Sequence, residues 1–201
     1  MISQNRIYTG LYRRIWYILN KRRFKKLGAK SFINNSLSIQ GAENISMGNK
    51  VYVAYKTWLA AMSYTDTDTC LLEIGDGTRL GNFNHIFATN KIIIGKKVLT
   101  ADKVYISDNL HEYYDVTTPI MDQPIKQIGT VEIGDGTWLG ENVCVIGASV
   151  GRNCVVGANS VVTKNIPDYC VVVGAPARII KRYCFDSNKW KKTEPSGNFI
   201  N

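Results

Sequence analysis

Aliphatic residues recur at every sixth position along much of this chain. The repeat begins with Ile39, Ile45 and Val51, and it is clearest at residues 74–106 and 133–162, where Gly follows the aliphatic residue in several hexads. A period of six matches neither an α-helix nor the alternation of an ordinary strand, but it is typical of a parallel β-helix. In that architecture the aliphatic side chain points inward, three hexads complete one triangular coil, and Gly, Asn and Asp accept the corner conformations.

Two stretches interrupt the hexads. Residues 52–73 contain Trp58 and a polar turn at 65–69, and residues 107–130 contain His111, one of only two histidines in the chain. A regular β-helix does not need such excursions, and long loops on a rigid scaffold are where function tends to lie. The second loop is therefore the first candidate for chemistry.

The first 30 residues predict a separate element, an amphipathic basic helix. They hold nine of the 25 Lys and Arg residues and no acidic residue, since the first acid is Glu43. We favour a helix whose apolar stripe packs on the main domain or on another subunit; the alternative is attachment to anionic lipid, or attraction of an anionic substrate. The stripe consists of Ile7, Tyr8, Leu11, Tyr12, Ile15 and Leu19.

Composition narrows the class of protein. The chain has 201 residues, of which 45% are hydrophobic, so it can bury a core. Outside residues 1–30 it carries 16 basic and 16 acidic groups, which argues against a nucleic-acid partner. No apolar run exceeds five residues and no signal peptide is recognisable, so we expect a cytoplasmic protein, at the inner face of the membrane if the helix binds lipid. The five cysteines form no Cys-x-x-Cys pair and predict reduced thiols, with neither disulfides nor a metal site.

The C-terminal hexads carry the most specific sequence motif. It runs through Ile133-Gly-Asp-Gly-Thr-Trp-Leu-Gly and Val156-Gly-Ala-Asn-Ser-Val to Gly174-Ala-Pro-Ala-Arg. Residues 39–182 thereby resemble the hexapeptide-repeat acyltransferases, and most closely the sugar O-acetyltransferases that act on galactosides, maltose and bacterial surface polysaccharides. The resemblance implies a left-handed parallel β-helix that works as a homotrimer.

The expected fold is therefore all-β, a left-handed parallel β-helix with an N-terminal amphipathic helix and a short C-terminal helix. The predicted divisions are a basic helical segment at 1–30, the β-helix acyltransferase domain at 31–182 with its loop at 107–130, and a tail at 183–201.

The same resemblance assigns roles around the second loop. His111 stands where the family places its catalytic histidine, a side chain suited to removing a proton from a hydroxyl as it attacks. Asp108 either orients the imidazole or binds the acceptor, or it simply caps a turn. Asn84 is expected to bind the acceptor, unless it is an asparagine stacked at a coil corner, and His85 is expected to line the same cleft.

Acetyl-CoA is the co-substrate that the resemblance implies, bound in a groove between subunits near the last coils. Positions matching Ala158 and Thr163 would bind the pantetheine amides through the backbone, and Lys164, Arg178 and Lys181 would meet the phosphates. Trp138 would pack on the cofactor arm or fill the subunit interface. Each of these residues could instead be a corner residue or a solvated charge.

The predicted function is acetyl transfer from acetyl-CoA to a hydroxyl of a sugar or surface-polysaccharide precursor. The alternative is N-acetylation of a nucleotide-linked aminosugar, because the same base can deprotonate an amine. A zinc carbonic anhydrase on the same scaffold is disfavoured because two histidines are too few for a three-histidine site. A non-catalytic scaffold would call for flat arrays of Thr and no loop histidine.

Overall fold

A computed structural model describes residues 2–65 and 69–200, with side chains from residue 10 onward. Residues 66–68 of the predicted polar turn, and the side chains of Ile7 and Tyr8, lie outside the described part. One helix, α1 (Ile2–Asn20), precedes the strands, and two 3-10 turns, η1 (Ala42–Asn44) and η2 (Ile120–Asp122), lie between them. The strands are β1 (Lys26–Leu27), β2 (Phe32–Ile33), β3 (Ser38–Gln40), β4 (Ile45–Met47), β5 (Tyr52–Val53), β6 (Trp58–Ala61), β7 (Leu71–Ile74), β8 (Arg79–Leu80), β9 (His85–Ala88), β10 (Lys91–Ile94), β11 (Leu99–Thr100), β12 (Tyr105–Ser107), β13 (Asn109–His111), β14 (Ile125–Gln127), β15 (Val131–Ile133), β16 (Trp138–Leu139), β17 (Cys144–Ile146), β18 (Val155–Val156), β19 (Val161–Val162), β20 (Cys170–Val173), β21 (Arg178–Cys184) and β22 (Lys189–Lys192).

Successive strands visit three parallel sheets in turn, as a three-sided coil requires. Sheet A has the order β1-β4-β7-β10-β15, sheet B the order β2-β5-β8-β11-β16-β18-β20-β21-β22, and sheet C the order β19-β17-β12-β9-β6-β3. Parallel bridges from Ile133 to Val150 and from Val150 to Ile166 continue sheet A beyond β15. The predicted mainly-β chain with parallel sheets is confirmed, and the left hand of the coil stays a prediction.

The core is a set of aliphatic columns inside the coil. Ile74 pairs with Ile94, and Ile94 pairs with Ile133, in register along sheet A, and each of the three is at most 1% exposed. Nearly all inward positions predicted from the hexads are buried, whereas Ile39, in the first of them, is only partly so. Removing this apolar surface from water is the main force that holds the coils together.

The left-handed corner conformation predicted for Gly and Asn is present at Gly77, Gly136 and Asn142, but the Gly that directly follows an inward aliphatic residue has another cause. Gly75 and Gly95 do not have the left-handed backbone that a turn glycine would supply. Instead, a Cβ on Gly75 would lie 2.6 Å from the carbonyl carbon of Gly95 in the next coil. At other corners the left-handed conformation falls on a lysine: the N–H groups of Lys50 and Lys97 donate to Ala29 and Asp76 of the preceding coil.

Buried hydroxyls join each coil to its neighbours. Thr137 donates to the carbonyl of Gly151 at 2.7 Å and accepts from the N–H of Cys154 at 3.0 Å. Thr78 makes the corresponding pair of bonds two turns earlier, to Gly95 and Val98. Both threonines are fully buried, so these bonds satisfy the N–H groups of the buried residues Val98 and Cys154, which water cannot reach.

Several predicted boundaries were wrong. β5, β6 and β7 occupy much of the first supposed excursion, which shrinks to the segment between Ala61 and Leu71, and the coil begins at β1, before residue 31. The predicted C-terminal helix is absent from the described residues, where β21 and β22 form an antiparallel hairpin on β20. The hairpin buries Ile179 and covers the edge that β20 would otherwise expose.

Helix α1 packs on the first coil through residues outside most of the predicted stripe. Trp16 contacts Phe32 edge-on with ring centroids 5.4 Å apart, and the Tyr17 hydroxyl donates to the carbonyl of Leu27. Leu11, Ile15 and Leu19 of the predicted stripe remain exposed. The packing that we favoured therefore holds for a neighbouring side of the helix. Within the described part of the chain, no helix is long and apolar enough to cross a membrane.

We predict that Thr137→Val lowers the free energy of unfolding by about 2 kcal/mol, because it leaves the buried N–H of Cys154 and the partly buried carbonyl of Gly151 without this partner. Chemical denaturation monitored by circular dichroism measures the change. The control is Thr130→Val, at an exposed threonine whose side chain makes no hydrogen bond to the described residues. Equal stability of the two variants would contradict the role of the buried hydroxyl.

Candidate active site

His111 lies on a β-hairpin that leaves the coil after β12. Strands β13 and β14 pair antiparallel, with His111 opposite Ile125, and residues 112–124 join them. The histidine is exposed, and its imidazole makes no hydrogen bond to the described residues. Both ring nitrogens are therefore open to a molecule that approaches the hairpin.

Asp108 holds the base of this hairpin and has no hydrogen bond to His111. It is fully buried, and its carboxylate accepts the backbone N–H groups of Thr89, Asn90 and Lys91 at 2.8–2.9 Å. The side-chain amide of Asn109 donates to the same carboxylate at 2.9 Å. The structure thus corrects the prediction that Asp108 orients the imidazole or meets the acceptor: it caps the preceding turn.

The start and the end of the hairpin are tied to the same coil. Thr89 donates its hydroxyl to Gln127 at 2.8 Å, and the N–H of Ile128 donates to the carbonyl of Asp108. Asn109 also donates to the carbonyl of Phe87 in β9. The position of His111 relative to the coil therefore follows from contacts at both ends of the loop.

Beyond His111 the loop is ordered by local contacts and exposes apolar groups. Hydrogen bonds from Thr117 and Thr118 lower the pKa of Asp115 to about 2. Lys126 lies 4.5 Å from the ring centroid of Tyr114 and forms an ion pair with Glu112 at 3.2 Å. The exposed apolar side chains of the loop are Tyr113, Tyr114, Val116, Ile120 and Met121.

A column of aromatic rings lies on the outer face of sheet C, beside the strand that leads into the hairpin. His85 is in register with Trp58 and with Tyr105, and its ring stacks on Trp58 with centroids 4.2 Å apart and an interplanar angle of 7°. Phe87 follows at 6.1 Å on the same face. Burial lowers the pKa of His85, which favours the neutral imidazole.

Two ring nitrogens in this column lack partners. His85 Nε2 and Trp58 Nε1 are buried and make no hydrogen bond in the described structure. The outer position of His85 is compatible with its predicted place beside an acceptor cleft. Sequence analysis did not single out Tyr105 or Phe87, although a signal was present: Trp58, His85 and Tyr105 each directly precede an inward aliphatic residue on neighbouring coils.

Asn84 is a corner residue in this structure. Its side chain is 1% exposed, its amide nitrogen donates to the hydroxyl of Thr100, and its oxygen accepts the N–H of Val104 at 2.7 Å. An amide held inside the coil by neighbouring coils is not presented to an acceptor. This corrects the predicted binding role and favours the corner alternative.

Two of the predicted phosphate-binding residues share a pocket near the last coils. Lys164 and Arg178 line a cavity of about 360 Å³, together with Pro167, Ala177 and Pro195. Lys181 is exposed on β21, opposite Val171, and is not among the residues that line it. The structure therefore brings together two of the three cations.

The remaining predicted cofactor residues lie on separate parts of one chain. Trp138 is 45% exposed on the outer face of sheet B, between Leu99 and Val155. Ala158 follows β18 and Thr163 follows β19, so they occupy different corners of the coil, and both are exposed. In the described residues no group of three or more His, Cys, Asp or Glu side chains could hold a metal ion.

The parallel coils of this chain are built from hexads, and a hairpin that bears a histidine leaves the coil between β12 and β15. A family model described as the hexapeptide repeat of succinyl-transferase matches residues 130–164. The resemblance to hexapeptide-repeat acyltransferases is confirmed by this match together with the relatives described next.

Two curated relatives extend the likeness beyond the repeats. A Mycobacterium tuberculosis protein named as an acetyltransferase is 36% identical over 191 residues, which cover 90% of this chain and 60% of the relative. WbbJ of Escherichia coli, named as a lipopolysaccharide biosynthesis O-acetyltransferase, is 37% identical over 124 residues, which cover 58% of this chain and 63% of WbbJ. The matches thus span less than two thirds of the length of either relative.

A solved structure supports the fold independently. AntD, an N-acyltransferase from Bacillus cereus in complex with dTDP and 3-hydroxybutyryl-CoA, aligns with a TM-score of 0.69 and 20% sequence identity. The alignment covers 82% of this chain and 86% of AntD. At that identity the likeness shows a shared fold and nothing about the substrate.

We predict that His85→Phe weakens the acid sensitivity of the fold. Below pH 6.5, the ordinary pKa of histidine, the unfolded chain binds a proton that the buried imidazole resists, so this residue costs stability as the pH falls. Phenylalanine retains the stack on Trp58 without titrating. Thermal unfolding midpoints at pH 7.5 and 5.0 should fall less in His85→Phe than in the wild type, and equal falls would contradict the prediction.

Proposed function

We propose that the protein transfers an acetyl group from acetyl-CoA to a hydroxyl of a sugar or surface-polysaccharide precursor. The observation that carries the proposal is the exposed, unpartnered imidazole of His111 on a hairpin whose base is fixed to the coil by Asp108. The identity to relatives named as acetyltransferases supports the reaction class, and the name of WbbJ supports oxygen of a surface polysaccharide as the acceptor atom.

His111 is proposed as the general base. It removes the proton of the acceptor hydroxyl while the oxygen attacks the thioester carbonyl carbon, and the carbon–sulfur bond of the tetrahedral intermediate then breaks. The proton held by the imidazole passes to the departing thiolate. No covalent acyl-enzyme is required, because the hydroxyl attacks the donor directly.

Asp108 contributes by holding the hairpin. Its carboxylate joins residues 89–91 to the start of β13, so it fixes the loop that presents His111 without touching the acceptor. A base must lie within hydrogen-bond reach of the proton that it removes, and a small displacement of such a group is costly to the rate. In this proposal Asp108 is a positioning residue.

Lys164 and Arg178 are proposed to bind phosphates of coenzyme A. Both cations line the cavity near the last coils, and Arg and Lys are the side chains that bind phosphate in proteins. The backbone beside Ala158 and Thr163 would receive the pantetheine arm. Since these two positions occupy different corners, one chain alone does not gather the predicted cofactor residues into a single groove.

A homotrimer would supply the missing wall of that groove. Sheet B exposes two neighbouring apolar side chains on its outer face, Leu99 and Trp138, which are 46% and 45% exposed, and this is the kind of surface that a neighbouring subunit covers. The apolar loop beyond His111 offers a second such surface. Trp138 is accordingly proposed as an interface residue that borders the cofactor.

The second candidate is N-acetylation of a nucleotide-linked aminosugar. The fold shared with AntD, an N-acyltransferase, makes this reaction a fitting alternative, and His111 would serve it in the same way. Oxygen is favoured here because a relative named as an O-acetyltransferase, WbbJ, is much more similar in sequence.

We predict that His111→Ala lowers kcat by about 10²- to 10⁴-fold, the usual contribution of a positioned base. The measurement is a thiol-release assay with acetyl-CoA against sugars, polysaccharide repeats and nucleotide aminosugars. Glu112→Gln, at the neighbouring side chain, is the matched control and should keep wild-type turnover.

Three results would test the assignment of the base, the acceptor atom and the reaction. Wild-type turnover in folded His111→Ala would refute the assignment of the base. Release of thiol only with aminosugars would show that the acceptor atom is nitrogen and not oxygen. No release with any acceptor, in the wild type, would refute the acetyl-transfer proposal for this panel.

We predict that Lys164→Gln and Arg178→Gln each raise the KM for acetyl-CoA by about ten-fold, as expected when one charge-assisted hydrogen bond to phosphate is lost. The value of kcat should stay within about two-fold, because the phosphates lie away from the reacting carbonyl. Lys189→Gln, on β22 and outside the pocket, is the control. An unchanged KM in both pocket variants would place the cofactor elsewhere.

A further inference from the structure

Helix α1 has an apolar side that nothing in the described structure covers. Its ring contacts and hydrogen bond to the first coil come from Tyr12, Trp16 and Tyr17. On the opposite side, residues spaced four, three and one apart fall on one face of a helix. This outer face consists of Leu11, Ile15, Ile18 and Leu19, which are 55%, 49%, 64% and 70% exposed.

Positive charge surrounds the outer face. Arg14 lies on its flank, and Lys21, Arg22 and Arg23 follow directly after the helix, all of them exposed. No acidic residue occurs before Glu43, so this charge has no neutralising partner in its own segment. Exposed apolar and cationic groups are thus combined on one surface of the protein.

A pocket at the junction of helix and coil adds to the same charge. Its volume is about 480 Å³, and Arg13, Arg14 and Lys30 line it together with Tyr17 and Ile18. The guanidinium of Arg13 also lies 5.2 Å from the ring centroid of Phe32 and 5.6 Å from that of Tyr52, which holds it against the coil. An anionic headgroup beside the helix would meet cations whose positions are already set.

We propose that the outer face of α1 binds the surface of an anionic lipid bilayer, with the helix lying in the plane of the interface. Apolar side chains enter the headgroup boundary, and the flanking cations meet lipid phosphates. The contact of Trp16 with Phe32 attaches the helix to the coil, so binding would place the first coil next to the membrane.

Charge argues for lipid over a second copy of the chain. Two outer faces in contact would bring two sets of cations together, whereas an anionic surface neutralises them. The remainder of the chain carries equal numbers of basic and acidic groups, so the helix segment supplies the attraction.

The test is co-sedimentation of the full chain with vesicles of phosphatidylcholine, alone or with about one quarter phosphatidylglycerol. The wild type should bind the anionic vesicles more tightly, and less so at about 0.5 M salt, because salt screens the attraction. Ile15→Gln with Ile18→Gln should lower the binding constant by about ten-fold or more, since two apolar side chains no longer enter the interface. Glutamine is at least as good a helix former as isoleucine, so α1 should persist.

The matched control is Leu37→Gln with Ile200→Gln, which removes two side chains 62% and 56% exposed outside α1. It should bind within about two-fold of the wild type. Equal binding by both double variants, or absence of wild-type binding to anionic vesicles, would overturn the proposal. So would a change in assembly mass for Ile15→Gln with Ile18→Gln in sedimentation, because the outer face would then contact another copy. Acetyl transfer to a small acceptor in solution should be unchanged in this variant, which separates the proposal from the proposed function.

Discussion

The fold depends on hydrogen bonds that connect each coil to the next at its corners. Parallel strands of two to four residues provide few ladder bonds of their own, so backbone groups and side chains at the corners supply the rest. Thr78 and Thr137 each donate to a carbonyl and accept an N–H of the following coil. At the exposed corners carboxylates do the same: Asp76 accepts the N–H of Asn49 at 2.6 Å, and this bond lowers the pKa of Asp76. Because every coil rests on its neighbours, an error at one corner propagates along the stack.

The hairpin that bears His111 is held by the same kind of interaction, a carboxylate that accepts backbone N–H groups, at the point where the chain leaves the coil. Asp108 accepts three backbone N–H groups of residues 89–91, as an ordinary corner carboxylate accepts one. Thr89 and Gln127 then tie the returning strand to the same turn. The candidate base is thereby held by contacts that belong to the architecture of the helix. Sequence alone does not show whether Asp108 is structural or catalytic, since an aspartate of either kind would stand near His111.

Inward positions were predictable because the same constraint, burial away from water, acts on every one of them. Ile74, Ile94 and Ile133 fill the same column, and a polar residue there would lose hydration without compensation. Asn84 shows the limit of this reasoning: its amide is buried and bonded to Thr100 and Val104, a pairing between coils that no spacing reveals. The C-terminal strands were missed for a related reason. β21 pairs with β20 because the edge of the sheet would otherwise be exposed. Which strand lies at the edge is known only once all the coils are in place, so the repeat pattern does not predict the hairpin.

Outward-facing side chains are constrained by the groups that cover them, so functional residues are to be sought among them. His85 stacks between Trp58 and Phe87, and two buried nitrogens in this column remain without partners. Unpaired buried donors and acceptors are costly in a stable fold, so these two nitrogens set this column apart from the hydrogen-bonded corners. The column adjoins β12, which leads directly to Asp108 and the hairpin. The strand that carries Tyr105 of this column therefore also leads into the hairpin that positions His111.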